Sequence, residues 1–482
     1  MPLAAFLFAA NAAATSLLPT ATSTASDSVL LSLPEAVERA LKTGDEARAA
    51  AAQLDVTEAQ VTIARSVGLP QLRFNGSQSR VFESARASAV GSIFNQPYTY
   101  TANASLSQTL FQGGRVLAGS RAASDVRGAA RFDEIETAAQ VSLDVQRAYL
   151  QAQFTATIAE IQDTALALAG QRVAQTLQFE KAGQASRYDV LRANVERANL
   201  QPVAIQAHSD FELALVELKR LINVPFKQPV KLTTRIDTAS VAQWIARLRS
   251  TPSAADRATL RSAELTARAR HSAVTVARAD LFPTISITGL LGAQAFPQSG
   301  FPTTRGRIST VPCPEGSTAG RVCTSQNGGW FNDRSMGISM SLPIFDGLRA
   351  KGAIDLAAAQ ARLADLQLAQ TRERVAADEA RARAELDRAE AAFKAQGQNA
   401  AEAAEAFRLA SLRRSHGLAT QLEVADAQLA LTLAKTNEAR AVYDLHLAAA
   451  GYARSIGLPP QNFDLRSVPV RTSIPVSNTR GR

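Results

Sequence analysis

The sequence predicts a mainly α-helical chain that carries two β-hairpins, laid out as two tandem copies of a helix–β-hairpin–long helix–helix unit. Three observations carry that reading. Ala dominates, and the 482 residues are 46% hydrophobic, 20% charged and only 6% aromatic, a composition that favours long helices. The stretches 115–178 and 349–412 contain no Pro and far exceed ordinary globular helices. The sequence also repeats itself. Val61-Thr62-Ile63-Ala64-Arg65 returns as Val274-Thr275-Val276-Ala277-Arg278, and Pro70 as Pro283, at an offset of 213. Later the offset is 234: Leu110-Phe111-Gln112-Gly113 matches Ile344-Phe345-Asp346-Gly347, Gly183 matches Gly417, Asp189-Val190 matches Glu423-Val424, and Pro225 matches Pro459. The difference of 21 is an insertion between Pro283 and Ile344.

At the N-terminus, Pro2 to Pro19 are almost wholly apolar or small, and the first charged side chain is Asp27. An apolar run followed by small residues, with Ser23-Thr24-Ala25 as a cleavage site, reads as a signal peptide over 1–25, although the basic n-region is missing. Export makes an oxidised state of Cys313 and Cys323 reasonable. Beyond this segment no window of about 18 apolar residues lacks charges, which excludes a bundle of membrane-spanning helices.

The first unit is placed at 30–225 and the second at 255–459. In the second, 255–281 is helical and Pro283 ends it. Ile285, Ile287, Gly289 and Leu291 then alternate with Thr284, Ser286, Thr288 and Leu290, the period of a strand. Residues 296–332 read as loop. Alternation resumes with Met336, Ile338, Met340 and Leu342 against Ser335, Gly337, Ser339 and Ser341. The β-hairpins are placed at about 71–109 and 284–343.

After each Phe-x-Gly the pattern turns helical, giving helical hairpins at about 114–222 and 348–454. A 64-residue rod would be roughly 95 Å long at the α-helical rise. Val141, Val145, Ala148 and Ala152 are spaced 4, 3, 4, a narrow coiled-coil seam. Leu191, Val195 and Ala198, and their matches Ala425, Leu429 and Thr432, suggest the same on the return helices. Gly183 and Gly417 supply positive φ at the turns, and Ser186 and Thr420 can cap the return helices. Residues 226–254 form an inter-repeat segment and 460–482 a polar tail, both expected at mid-height beside the bundle.

The net charge is +9 and the pI about 9.9. Nucleic-acid binding is disfavoured, since Arg is interleaved with Asp and Glu and no run of five like charges occurs. The four His are not spaced as ligands, and no phosphate-cradling Gly-rich loop or nucleophile elbow is present. We expect no enzyme, no cofactor and no metal site.

Four strands with one apolar face cannot close on themselves, because a small closed barrel needs about eight, and an open sheet leaves unpaired edges. A membrane reading therefore requires several chains, each donating two hairpins. Here the combination of motifs resembles the TolC-like outer membrane efflux proteins, the outer membrane factors. It comprises Val61-Thr62-Ile63-Ala64-Arg65 with Leu69-Pro70, Ser107-Gln108-x-Leu110-Phe111-x-Gly113-Gly114-Arg115, Pro343-Ile344-Phe345-Asp346-Gly347, and the turns from Ala182-Gly183 to Asp189-Val190 and from His416-Gly417-Leu418 to Glu423-Val424. It covers about 30–459.

The resemblance implies a homotrimer with a 12-stranded β-barrel in the outer membrane of a Gram-negative bacterium, continuous with an α-helical barrel in the periplasm. It further implies docking to a periplasmic adaptor protein and an inner-membrane pump of RND, ABC or MFS type. The function expected is a passive exit duct of a tripartite efflux or type I secretion system. The alternatives are a periplasmic adaptor, signalled by one helical hairpin where this chain has two, and a soluble coiled-coil protein.

On that reading Met336, Ile338, Met340 and Leu342 face outer membrane lipid. Cys313 and Cys323, nine residues apart in the Gly/Pro/Ser-rich loop, form a disulfide. Gly183, Gln184, Ala185, Ser186, Gly417, Leu418, Ala419 and Thr420 form the adaptor-docking tips. Similar channels narrow near these tips and carry Asp there. This chain departs from that, with Arg172, Lys181, Arg408, Arg413 and Arg414 as candidates for a basic periplasmic constriction.

Overall fold

The computed structural model describes residues 29–83, 97–234, 238–251, 257–312 and 322–458. The first unit runs β1 (Val29–Leu31), α1 (Leu33–Thr43), α2 (Asp45–Ser66), β2 (Gln71–Arg80), β3 (Tyr98–Gln112), α3 (Arg115–Lys181) and α4 (Arg187–Leu221). The second follows β4 (Val230–Leu232) and runs α5 (Thr238–Ser250), α6 (Ala258–Arg278), β5 (Thr284–Ala295), β6 (Ile308–Pro312), β7 (Val322–Gln326), β8 (Trp330–Ser341), α7 (Arg349–Ser415) and α8 (Gln421–Ser455).

The rods α3 and α7 are each 67 residues, roughly 100 Å at the α-helical rise. No described helix is long and apolar enough to cross a membrane. In the half nearest the strands, helices lie side by side in the order α2, α3, α6, α7; in the other half the order is α4, α3, α8, α7. The rods thus run through both halves while shorter helices exchange at mid-height.

Two apolar cores mark that exchange. In one, α1 contributes Ala36, Val37 and Ala40 against Val141, Val145 and Tyr149 of α3 and Leu218 and Ile222 at the end of α4. Tyr149 Oη donates to Leu31 O at 3.0 Å and accepts from Thr234 N at 3.0 Å, tying rod, β1 and linker together. In the other, Val241, Ile245 and Leu248 of α5 pack on Leu386 and Ala389 of α7 and on Leu445, Tyr452 and Ile456. α5 therefore seats on the second unit as α1 seats on the first, and β4 pairs in parallel with β1.

The rod seam Val141, Val145, Ala148 and Ala152 is buried. The return-helix seam differs from expectation. Leu191, Val195 and Leu429 are exposed, whereas Val190, Ala193, Val424 and Gln428 face inward. Ala-rich helices carry apolar stripes on more than one face, and the position of the neighbouring rod selects the one that is buried.

β2, β3, β5 and β8 form one antiparallel sheet in that order. β3 has a bulge between Thr109 and Phe111. The 296–332 connection, expected as loop, carries the β6–β7 hairpin. Cys323 lies in β7, but Cys313 falls outside the described residues, so the disulfide does too.

Candidate functional site: an amphipathic sheet and two helical tips

Residues paired across strands share a sheet face, so register assigns each side chain to a side. Met336, Ile338 and Met340 pair with Gly289, Ile287 and Ile285. Those continue to Leu106, Gln108 and Phe111 on β3, and Leu106 to Leu72 on β2. Met336, Ile338, Met340, Leu72 and Leu342, just past β8, are all exposed. Gln108, a polar residue on this face near the helices, donates to Gly68 O at 2.7 Å, and Gln78, Asn332 and Arg334 lie on the same face toward the far end of the sheet.

The opposite face is polar. Ser335, Gly337, Ser339 and Ser341 pair with Leu290, Thr288, Ser286 and Thr284. Cross-strand hydrogen bonds join Ser286 and Ser339 hydroxyls at 2.8 Å, Ser77 and Thr101 at 2.6 Å, and Gln294 Nε2 to Asp333 Oδ2 at 3.2 Å. The outer edges of β2 and β8 carry no partner strand among the described residues.

Aromatic rings gather at the sheet end away from the helices. Phe301 lies edge-on to Tyr100 at 5.3 Å and to Trp330 at 6.0 Å, and Trp330 Nε1 donates to Pro302 O at 2.8 Å. Phe111, Phe282 and Phe345 are exposed at the other end. Sequence reasoning named Phe111 and Phe345 only as repeat motifs and did not single out either aromatic group.

Where strands become rods, each junction uses left-handed backbone. Gly113 and Gly114 have φ of 55° and 79°, and the second copy has Gly347 at 69° and Leu348 at 68°. A Cβ at Gly113 would come within 2.8 Å of Phe282 Cβ. Asp280 pairs with Arg115 and, at 3.4 Å, with Arg349, joining the first residues of both rods.

The tips are built alike. Gly183 (φ 75°) and Gly417 (φ 74°) reverse the chain. Gln184 N donates to Phe179 O and Leu418 N to Arg413 O, both at 2.8 Å. Capping boxes start the return helices: Asp189 N donates to Ser186 Oγ and Ser186 N to Asp189 Oδ2, and Glu423 with Thr420 does the same. Hydrogen bonds from the Ser186 hydroxyl and backbone hold the Asp189 carboxyl below the ordinary carboxylate range. The Thr420 backbone N–H and hydroxyl do so for Glu423. Gly183, Gln184, Ser186, Gly417 and Thr420 are exposed, Ala185 is half-buried and Ala419 is buried. Leu418 is 69% exposed.

The basic residues separate into different roles. Arg172 is buried inside the first hairpin on Glu196, Nη1 to Oε1 2.5 Å, which removes it from the pore-lining candidates, since assembly can only bury it further. Arg414 donates to Ala419 O at 3.2 Å and lies 5.6 Å over the Phe179 ring, linking the two tips. Arg413 donates to Leu418 O at 3.1 Å and stands 3.7 Å from Glu423. Arg408 pairs with Glu405 at 2.7 Å on the surface, and Lys181 is exposed.

Comparison of the sequence with curated proteins gives no match. Among solved structures, the fold is similar to a membrane protein from Pseudomonas aeruginosa, with a TM-score of 0.70 and 22% identity over 88% of this chain and 92% of that one. It is similar to the outer membrane protein VceC from Vibrio cholerae, with a TM-score of 0.68 and 19% identity over 88% and 96%. It is also similar to the CmeC outer membrane channel of Campylobacter jejuni, with a TM-score of 0.71 and 16% identity over 90% and 87%. The family model for outer membrane efflux proteins matches residues 36–224 and 253–458, one segment in each unit. The chain belongs to the outer membrane efflux protein family.

Proposed function

We propose that three copies of this chain form the exit duct of a tripartite efflux or type I secretion system. Each copy contributes four strands to one 12-stranded barrel in the outer membrane and four helices to a periplasmic tube. One observation carries this reading above the rest. The four-stranded sheet is apolar on one face, hydrogen-bonded and polar on the other, and open at both edges, and it leads directly into the rods. Joining β8 of one copy to β2 of the next keeps the antiparallel order and removes every edge, as a lipid environment demands. Met336, Ile338, Met340 and Leu342 then face lipid, the serine rows face the lumen, and the aromatic groups sit at the two interfaces. The tips at 183–186 and 417–420 face a periplasmic adaptor, and an inner-membrane pump supplies the energy.

Crosslinking of the detergent-purified protein should trap a trimer, and fractionation should place it in the outer membrane. A stable monomer in which a Cys at position 338 reacts with water-borne thiol reagents would overturn the proposal.

A further inference from the structure

The repeat places two corresponding clefts at mid-height, one in each unit, and their chemistry has diverged. The first, of 300 Å³, is lined by Glu46, Asp144, Arg147, Glu217 and Arg220. The second, of 740 Å³, is lined by Arg257, Asp378, Arg381, Glu385, Arg388 and Arg454. At the 234 offset Asp144 matches Asp378, Arg147 matches Arg381 and Arg220 matches Arg454. Glu217, however, matches Gly451, and at the 213 offset Glu46 matches Thr259 and Gly44 matches Arg257. Around the shared guanidinium position the Glu217 and Glu46 carboxylates have been lost and Arg257 gained, while Glu385 and Arg388, which stand where the first unit has Gln151 and Phe154, pair with each other.

The consequence is visible in the hydrogen bonds. In the first cleft, Arg220 donates from Nε and Nη2 to Glu217 at 3.0 and 2.7 Å, a fork-on-carboxylate pair, with Glu46 adding to the field. In the second, Gly451 offers no carboxylate. Arg454 turns Nη2 to Glu136 at 2.6 Å, and its buried Nε has no hydrogen-bond partner. The Arg257 side chain is only 8% exposed, and its nearest carboxylate oxygens, on Glu136 and Asp378, stand 3.6 and 3.7 Å away. That is beyond hydrogen-bonding distance, and Nε and Nη1 are buried without a hydrogen bond. Leaving such N–H groups unsatisfied is costly.

We propose that this second cleft is a binding site for an oxyanion, a carboxylate or phosphate group from outside the chain. The anion takes the place that the Glu217 carboxylate fills in the first unit and accepts from Arg454 Nε and from the Arg257 guanidinium. The first cleft, with three acids and two arginines, repels such a ligand.

The test uses the full-length protein in detergent, with inorganic phosphate and acetate as probes at ionic strength matched with chloride. The thermal midpoint should rise with phosphate, acetate or both, following mass action. A response to phosphate alone assigns a tetrahedral oxyanion, and an equal response to acetate assigns a carboxylate. Arg454→Gln should weaken the apparent affinity about tenfold, the size of one charge-assisted hydrogen bond. Gly451→Glu should abolish the response by supplying the missing carboxylate; a Cβ at 451 meets nothing within 4 Å. Gly451→Ala, which adds bulk without charge, should keep it. No shift with either probe in the unmodified protein, or an undiminished response in Gly451→Glu, overturns the proposal.

Discussion

Arg172 on the first rod and Glu196 on its return helix form an ion pair across the hairpin, with the Arg172 side chain 7% exposed. Removing one partner of a buried pair leaves an uncompensated charge, which costs about 3–5 kcal/mol. Glu196→Ala should therefore lower the thermal midpoint far more than loss of a surface pair such as Glu405–Arg408, worth about 0–1 kcal/mol. Replacing both partners by Leu should restore most of the loss. Equal effects of Glu196→Ala and Glu405→Ala would mean that the pair is not buried in the assembled protein.

At the start of the second rod, Leu348 occupies left-handed backbone where the first copy has Gly114. Left-handed backbone costs a non-Gly residue about 1–2 kcal/mol, while Gly brings an entropic cost of roughly 0.5–1 kcal/mol. Leu348→Gly should raise stability slightly, and Gly114→Leu should lower it. Thermal unfolding of the two variants side by side measures the sign.

Sheet faces can be separated by one residue step. Ile338→Arg should cost about 2–4 kcal/mol near the bilayer midplane, whereas Ser339→Arg, on the polar face, should assemble normally. Trimer yield from membranes is the readout, and equal yields would contradict the lipid-facing assignment.

At the tips, Leu418 has no packing reason to be apolar. Leu418→Asp should abolish export in cells with trimer yield unchanged, and normal export would count against tip docking. Gly417 is the poorer probe, because its positive φ is needed for the turn itself.

Acid should loosen the same tips. Asp189 and Glu423 have carboxyls held below their ordinary values by the capping bonds. A depressed folded-state pKa contributes stability above the unfolded value that is lost as pH falls through the folded one. Amide exchange near 186–190 and 420–424, corrected for intrinsic rates, should therefore stay slow at neutral pH and speed up below the ordinary carboxylate range. Ser186→Ala and Thr420→Ala should remove the pH dependence.

On the proposed duct the remaining candidates for pore charge are Arg408, Arg413 and Lys181, since Arg172 pairs with Glu196 inside the hairpin and Arg414 links the tips. Threefold symmetry would turn each lumen-facing cation into a ring. Bilayer recordings should show weak cation selectivity or anion preference, and Arg408→Asp or Arg413→Asp should shift the reversal potential toward cations. Strong cation selectivity in the unmodified channel would place these side chains outside the lumen.

By itself the sequence determined the duplication, the rods, the turns and the sheet faces. Each is a local signal: a missing Pro over more than 60 residues, a Gly followed by a capping residue, a strict period of two from Met336 to Leu342. Only the tertiary structure decided which of several apolar stripes met which neighbour. Leu191 and Val190 adjoin on an Ala-rich helix and look equally fit to be buried, yet only Val190 packs inward, because the rod's position selects the stripe. The fate of each Arg was equally unreadable, since a partner such as Glu196, Glu136 or Asp280 lies 24 to 318 residues away in sequence. Charge pairing at mid-height depends on which helix ends meet, and that is a property of the folded bundle.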